Sequence, residues 1–149
     1  MESVTGQNYV PEIETELIDL YNQERKKCGL NTLQYDADLQ RAARIRAKEI
    51  YDNDCFSHTR PDGSEWNTVL SIEVPLNTTF AGENLAGMEY DYPELKHQKA
   101  EEWFKLWTDS PPHYQVMTHE RPTHIGIGLY YNYENGHYVA YVCALLAAY

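Results

Sequence analysis

His58, Glu83 and His113 are the residues of this chain whose types and settings could do chemistry. His58 stands on an irregular stretch beside the turn Pro61-Asp62-Gly63, and loops held by a rigid scaffold are where functional groups concentrate. His113 follows Ser110-Pro111-Pro112, a helix-opening sequence with Ser as cap and Pro in the first turn. Early in a helix the positive dipole end disfavours imidazolium and keeps the ring neutral. Glu83 lies between Gly82 and Asn84 in a largely apolar segment. A carboxylate buried there needs a partner such as a protonated His or a metal. Two His and one carboxylate can hold Zn²⁺ with a position left open for water. A divalent metal, zinc first, is therefore the cofactor to consider, with His58 and His113 as candidate ligands and Glu83 as candidate catalytic residue. The plainer alternatives are a structural His–Glu network and, for Glu83, a surface carboxylate on an edge strand. The spacing of 58, 83 and 113 is wider than any local metal motif and has little specificity. His-Glu-x-x-His, Gly-x-Ser-x-Gly and a phosphate-binding glycine loop are absent. Ser57 adjoins His58, but neighbours on an extended chain point apart, so no Ser–His nucleophile is expected there.

The elements that must position these residues follow from periodicity. Residues 1–11 read as a flexible arm, and 12–149 as one domain. From Pro11 the chain turns helical, with Ile13, Leu17, Leu20 and Tyr21 on one face, Glu12, Glu14 and Glu16 near the N-terminus, and Cys28-Gly29 at the end. A second helix is expected from about Asp36 to Asn53. Leu39, Ala42, Ala43, Ala47 and Ile50 line one side of it, and Arg41, Arg44 and Lys48 lie toward the other. A short helix follows near Glu65–Ser71, then a loop over 73–79, then an extended segment AGENLAG at 81–87. A third helix covers about Pro93–Thr108, with Ala100, Trp103, Phe104 and Trp107 as its apolar stripe. The end of the chain changes period. Ile125, Ile127 and Leu129 alternate with Gly126 and Gly128, Asn135-Gly136 is a hairpin signal, and Tyr138–Leu145 is apolar on both faces, like a central strand. Helices first and an antiparallel hairpin last make an α+β domain.

Composition bounds the rest. A chain of 149 residues, 42% hydrophobic and 23% charged, is a globular domain of ordinary size. The net charge of −11 argues against nucleic acid and anionic lipid. No apolar run is long enough for an integral membrane span. Thirteen tyrosines and three tryptophans are many; the tryptophans read as core, the tyrosines less so. Three cysteines, Cys28, Cys55 and Cys143, are no dense framework, and an odd count leaves at least one thiol free. The opening MESVTGQNYVPE carries no leader, so the chain is either cytosolic or a mature exported domain.

FSHTRPDG (56–63), AGENLAG (81–87), Trp107 with SPPH (110–113), and THIGIGLYY (123–131) together resemble the CAP superfamily of cysteine-rich secretory, venom-allergen and pathogenesis-related proteins. The HTRPDG and SPPH forms are most similar to its exported bacterial branch. The resemblance covers about residues 12–146. It implies an α-β-α sandwich with a central antiparallel sheet, and a cleft lined by two His and two acidic residues. His58, Glu83 and His113 carry over. The fourth position, a Glu three residues after the Trp in eukaryotic members, is Ser110 here, with Asp109 adjacent; Asn84 completes the lining. The resemblance also implies pairing of Cys55 with Cys143, and an extracellular or cell-surface location. Three functions compete: an extracellular binding module for a peptide, glycan or lipid, with or without a divalent ion; a metal-dependent hydrolase using His58, His113 and Glu83; and a purely structural His/Glu set. A monomer is expected.

Overall fold

The computed structural model describes residues 8–91 and 99–149. Helix α1 runs Pro11–Lys27, strand β1 Gln34–Tyr35, helix α2 Ala37–Asn53, a 3-10 helix Trp66–Leu70, and strand β2 Phe80–Asp91. Helix α3 (Ala100–Thr108), helix α4 (Pro111–Met117), strand β3 (His124–Glu134) and strand β4 (His137–Ala148) complete the chain. The order across the four-stranded sheet is β1-β3-β4-β2. The apolar Tyr138–Leu145 segment is indeed central, paired on both sides. The β3–β4 turn places Asn135 at φ 50 and Gly136 at φ 85, the left-handed pair that matches strand twist in a tight hairpin.

One expectation needs correction: the sheet is mixed rather than antiparallel throughout, because the two-residue β1 pairs parallel with β3. The 81–87 segment is extended as expected, and forms the middle of a 12-residue edge strand. The third helix is described from Ala100; residues 93–98 of the expected span lie outside the described residues, as does His97. Within the arm expected over 1–11, Tyr9 is buried and bridges Tyr130, and Asn8 Nδ2 donates to the Tyr131 carbonyl at 2.9 Å.

Helices cover both faces of the sheet. On one face Ile13, Leu17 and Tyr21 of α1 and Trp103 and Trp107 of α3 pack against Ile125, Ile127, Leu129, Val142 and Leu146. On the other, Leu39, Ala42, Ala43, Ala47 and Ile50 of α2 pack on Tyr130, Cys143, Leu145 and Ala147. The α2 alanines meet the β3 glycines: a Cβ on Gly126 would lie 2.1 Å from the Gln40 backbone nitrogen. Helix and strand thus approach backbone to backbone, and this close seat fixes the inward face of α2 relative to the sheet.

The candidate site at the edge of the sheet

The α2 face that carries the alanines also carries Arg46, fully buried, opposite the buried Glu83 of β2. Arg46 Nε donates to Glu83 Oε2 at 2.7 Å and Nη2 to Oε1 at 3.1 Å, a two-pronged pair. Arg46 Nη2 also donates to the Ser57 carbonyl at 2.7 Å, which ties the FSH segment to the same point. His58 Nδ1–H donates to Glu83 Oε1 at 2.8 Å, since an ionised carboxylate only accepts. The Cys143 thiol approaches Glu83 Oε2 at 3.5 Å. Both carboxylate oxygens are therefore engaged. The His58 side chain is 56% exposed, and its Nε2 is the atom left for the outside.

The loop bearing His58 is held by further charge. Arg46 Nη1 reaches Glu49 Oε2 at 2.6 Å, and Arg60 grips Glu49 at 2.8 and 2.9 Å. Arg60 also grips Glu73 at 2.9 and 3.0 Å. Glu83–Arg46–Glu49–Arg60–Glu73 is thus one alternating chain from the edge strand to the segment after the 3-10 helix. The Arg of HTRPDG is an anchor, not a ligand-facing group.

His113 stands on the opposite side of the edge strand, because successive β2 side chains point to opposite faces. Asn84, next to Glu83, is fully buried and donates through Nδ2 to the His113 carbonyl at 3.0 Å and to Tyr21 Oη at 2.9 Å. Trp107 Nε1 donates to the Leu85 carbonyl at 3.0 Å, and Arg25 closes the far end of α4 through the Met117 and His119 carbonyls. Ser110 does not cap α4 with its side chain. Pro112 removes one of the two N–H groups that such a cap could satisfy, and the Ser110 hydroxyl instead meets His113 Nδ1 at 2.8 Å.

The two imidazoles are pushed apart in proton affinity. The Glu83 hydrogen bond, then its charge, raises His58 against the opposing effect of burial. Burial lowers His113, and a charge on His58 lowers it further. Glu65, at the start of the 3-10 helix, adds its charge to His58; its position seven residues on, past the turn, was the only signal in the sequence. In a ¹⁵N imidazole titration His58 will lose its proton at a higher pH than His113, and Glu83→Gln will bring His58 down. A raised folded-state value means that the His58–Glu83 contact stabilises fully at acid pH and fades as pH rises through that value.

Other expected site residues fall elsewhere. Asp109 pairs with Lys105 at 2.6 Å on the surface, 61% exposed. Cys55 and Cys143 do not form the expected bridge: all three cysteines are free, with Cys55 Sγ on the Thr59 carbonyl and Cys143 facing Glu83. Burial and the Glu83 charge push the Cys143 thiol well above its ordinary range.

A catalytic zinc set takes three protein ligands. Glu83 is committed to Arg46, and among the described residues no group of three or more His, Cys, Asp or Glu is placed to share an ion. Among the described residues the third donor of that set is not in place, so those residues do not fit it.

Comparison with known proteins agrees with this architecture. Residues 18–145 match the cysteine-rich secretory protein family, CAP. The uncharacterised protein YkwD of Bacillus subtilis is 35% identical over 117 residues, covering 77% of this chain and 41% of that protein. A Bacillus anthracis extracellular protein containing an SCP domain superposes with a TM-score of 0.73 at 21% identity, over 93% of this chain and 41% of the other. An outer surface protein of Borrelia burgdorferi gives 0.79 at 19% identity, over 97% and 98%. The chain thus spans under half the length of its Bacillus relatives. Its edge-strand GEN segment, its SPPH helix and its three layers agree with the match, and the chain belongs to the CAP, or cysteine-rich secretory protein, family.

Proposed function

We propose that the chain is a recognition domain of an exported protein. His58 and His113 flank the edge of β2 and offer their Nε2 atoms to a hydrogen-bonding ligand. The observation that carries this reading is the saturation of Glu83: with both oxygens held by Arg46, His58 and Cys143, it orients an imidazole rather than reacting itself. Ser110 does the same for His113. Histidines oriented through Nδ1 are prepared to bind through the other nitrogen. The extracellular and outer-surface descriptions of two structural relatives support export.

A second reading, a purely structural set, draws support from the buried Arg46–Glu83 pair. The two readings separate by mutation. Peptide and oligosaccharide arrays probed with wild-type protein should show signals that the double variant His58→Ala/His113→Ala loses. The variant should keep its stability within about 1 kcal/mol, because His58 is largely exposed. Signals indifferent to both histidines, or none at all, would remove the recognition reading and leave the structural one.

A further inference from the structure

A row of aromatic rings crosses the α2 face of the sheet toward its hairpin end. Tyr9 packs on Tyr130, Tyr130 on Tyr51, Tyr51 on Tyr141 and Tyr141 on Phe56, with ring centroids 5.4–6.5 Å apart. The two ends of the row are finished differently. At the Tyr9 end the chain supplies its own cations. The Arg44 guanidinium stands 4.8 Å from the Tyr9 ring centre, and Lys48 Nζ stands 5.7 Å from that of Tyr130, each over the negative π face. At the other end Phe56 is 55% exposed. Among the described residues no Arg or Lys stands over Phe56 or Tyr141.

This outer pair is firmly seated. Tyr141 lies across from Gly87 and occupies the room that glycine leaves, since a Cβ there would come 2.8 Å from the ring. Phe56 stands on a short segment held on both sides. Cys55 N–H donates to the Ile50 carbonyl at 3.0 Å, and Arg46 takes the Ser57 carbonyl at 2.7 Å. A surface set before binding loses less entropy on binding.

Carboxylates surround the pair. Asp54, in the left-handed cap of α2, precedes Phe56 by two residues. Glu89 follows Gly87 by two residues on β2 and so shares its face. Glu134 accepts from the hydroxyl of Tyr51, the next ring in the row. All three acids are exposed. Among the described residues none of them pairs with an Arg or Lys, and Glu89 has only His137, at 3.6 Å. Their charge reaches the ring: burial raises the Tyr141 phenol first, and Asp54, Glu89 and Glu134 raise it further.

The occupant follows from this complementarity. A cation gains from the π faces and from the carboxylates together, whereas an anion is repelled and a plain apolar group leaves the acids unanswered. A guanidinium suits the place better than an ammonium, because its flat face stacks on a ring while its edge donates to carboxylates. The chain makes the same kind of contact itself with Arg44 on Tyr9.

We propose that Phe56 and Tyr141, ringed by Asp54, Glu89 and Glu134, form a docking platform for an arginine-bearing segment of a partner polypeptide. The platform does not depend on His58 or His113. The test is calorimetric titration of the whole chain with hexa-arginine, hexalysine and hexaglutamate at low ionic strength. Hexa-arginine should bind more tightly than hexalysine, and hexaglutamate should not bind. Phe56→Leu keeps an exposed apolar side chain but removes the ring, and should weaken hexa-arginine binding about two- to fivefold at unchanged Tm. Asp54→Asn/Glu89→Gln should weaken it roughly threefold more than Glu16→Gln/Asp19→Asn, which removes equal charge from exposed positions of α1 across the sheet. No binding of hexa-arginine, equal affinity for hexalysine, indifference to Phe56→Leu, or equal losses in the two charge-removing variants would each overturn the platform.

Discussion

Arg46→Met will lower the unfolding free energy by about 3–5 kcal/mol, read by urea denaturation, because it strands a buried carboxylate. The Arg46 and Glu83 side chains are both 0% exposed. Met fills much of the volume, so the loss is electrostatic rather than a cavity. The remaining partners of Glu83 are a thiol and an imidazole that is itself half in water. Removing both charges in Arg46→Met/Glu83→Leu should recover most of the loss, since apolar residues replace buried ion pairs at little cost. Glu49 retains Arg60 and some solvent, so it is not stranded in the double variant. A coupling energy below about 0.5 kcal/mol would mean the two residues act independently, and the anchoring role given to Glu83 would fail with it.

This pair also shows how far the sequence could be read. Leu39, Ala42, Ala43, Ala47 and Ile50 mark the buried stripe of α2, and position 46 lies inside that stripe. A charge on an apolar stripe is a legible sign of a buried ion pair. Glu14 gave the same sign between Ile13 and Leu17, and it is fully buried, held by Arg44 at 2.5 Å and by the Leu129 N–H at 2.8 Å. The partners could not be read, because they come from elements 30 or more residues away in sequence and depend on how helices seat on the sheet. Glu83 was expected to need a partner such as a protonated His or a metal; His58 does bond it, and the guanidinium of Arg46 is a further partner from a distant element. The β3–β4 hairpin was readable because Asn-Gly acts locally. The parallel pairing of β1 was not, because two residues carry no periodicity. Ser110 was legible as a helix start, but the withdrawal of its hydroxyl from the backbone depends on the following prolines and on His113 beside it.

Gly126→Ala will destabilise the chain by about 3 kcal/mol, the upper end of the usual overpacking cost, or about 6–12 °C in Tm for a domain of this size. The new methyl would stand 2.1 Å from the Gln40 backbone nitrogen and 2.3 Å from the Leu39 carbonyl carbon. Neither can rotate away, as a side chain could, so α2 must lift from β3. Gly82→Ala is the control: its methyl meets the Val116 side chain at 3.1 Å, and that side chain can yield. It should cost about 1 kcal/mol or less. The same lift carries the consequence for the site. Arg46 sits on α2 a turn and a half beyond Gln40, and Glu83 on the sheet, so separating helix from sheet lengthens the bonds that hold Glu83 and, through it, His58. Gly126→Ala should therefore lower the pH at which His58 loses its proton, and Gly82→Ala should leave it unchanged. Equal destabilisation by the two alanines, or a His58 titration indifferent to both, would disconnect the histidine from the seat of α2 and leave its position to the local loop alone.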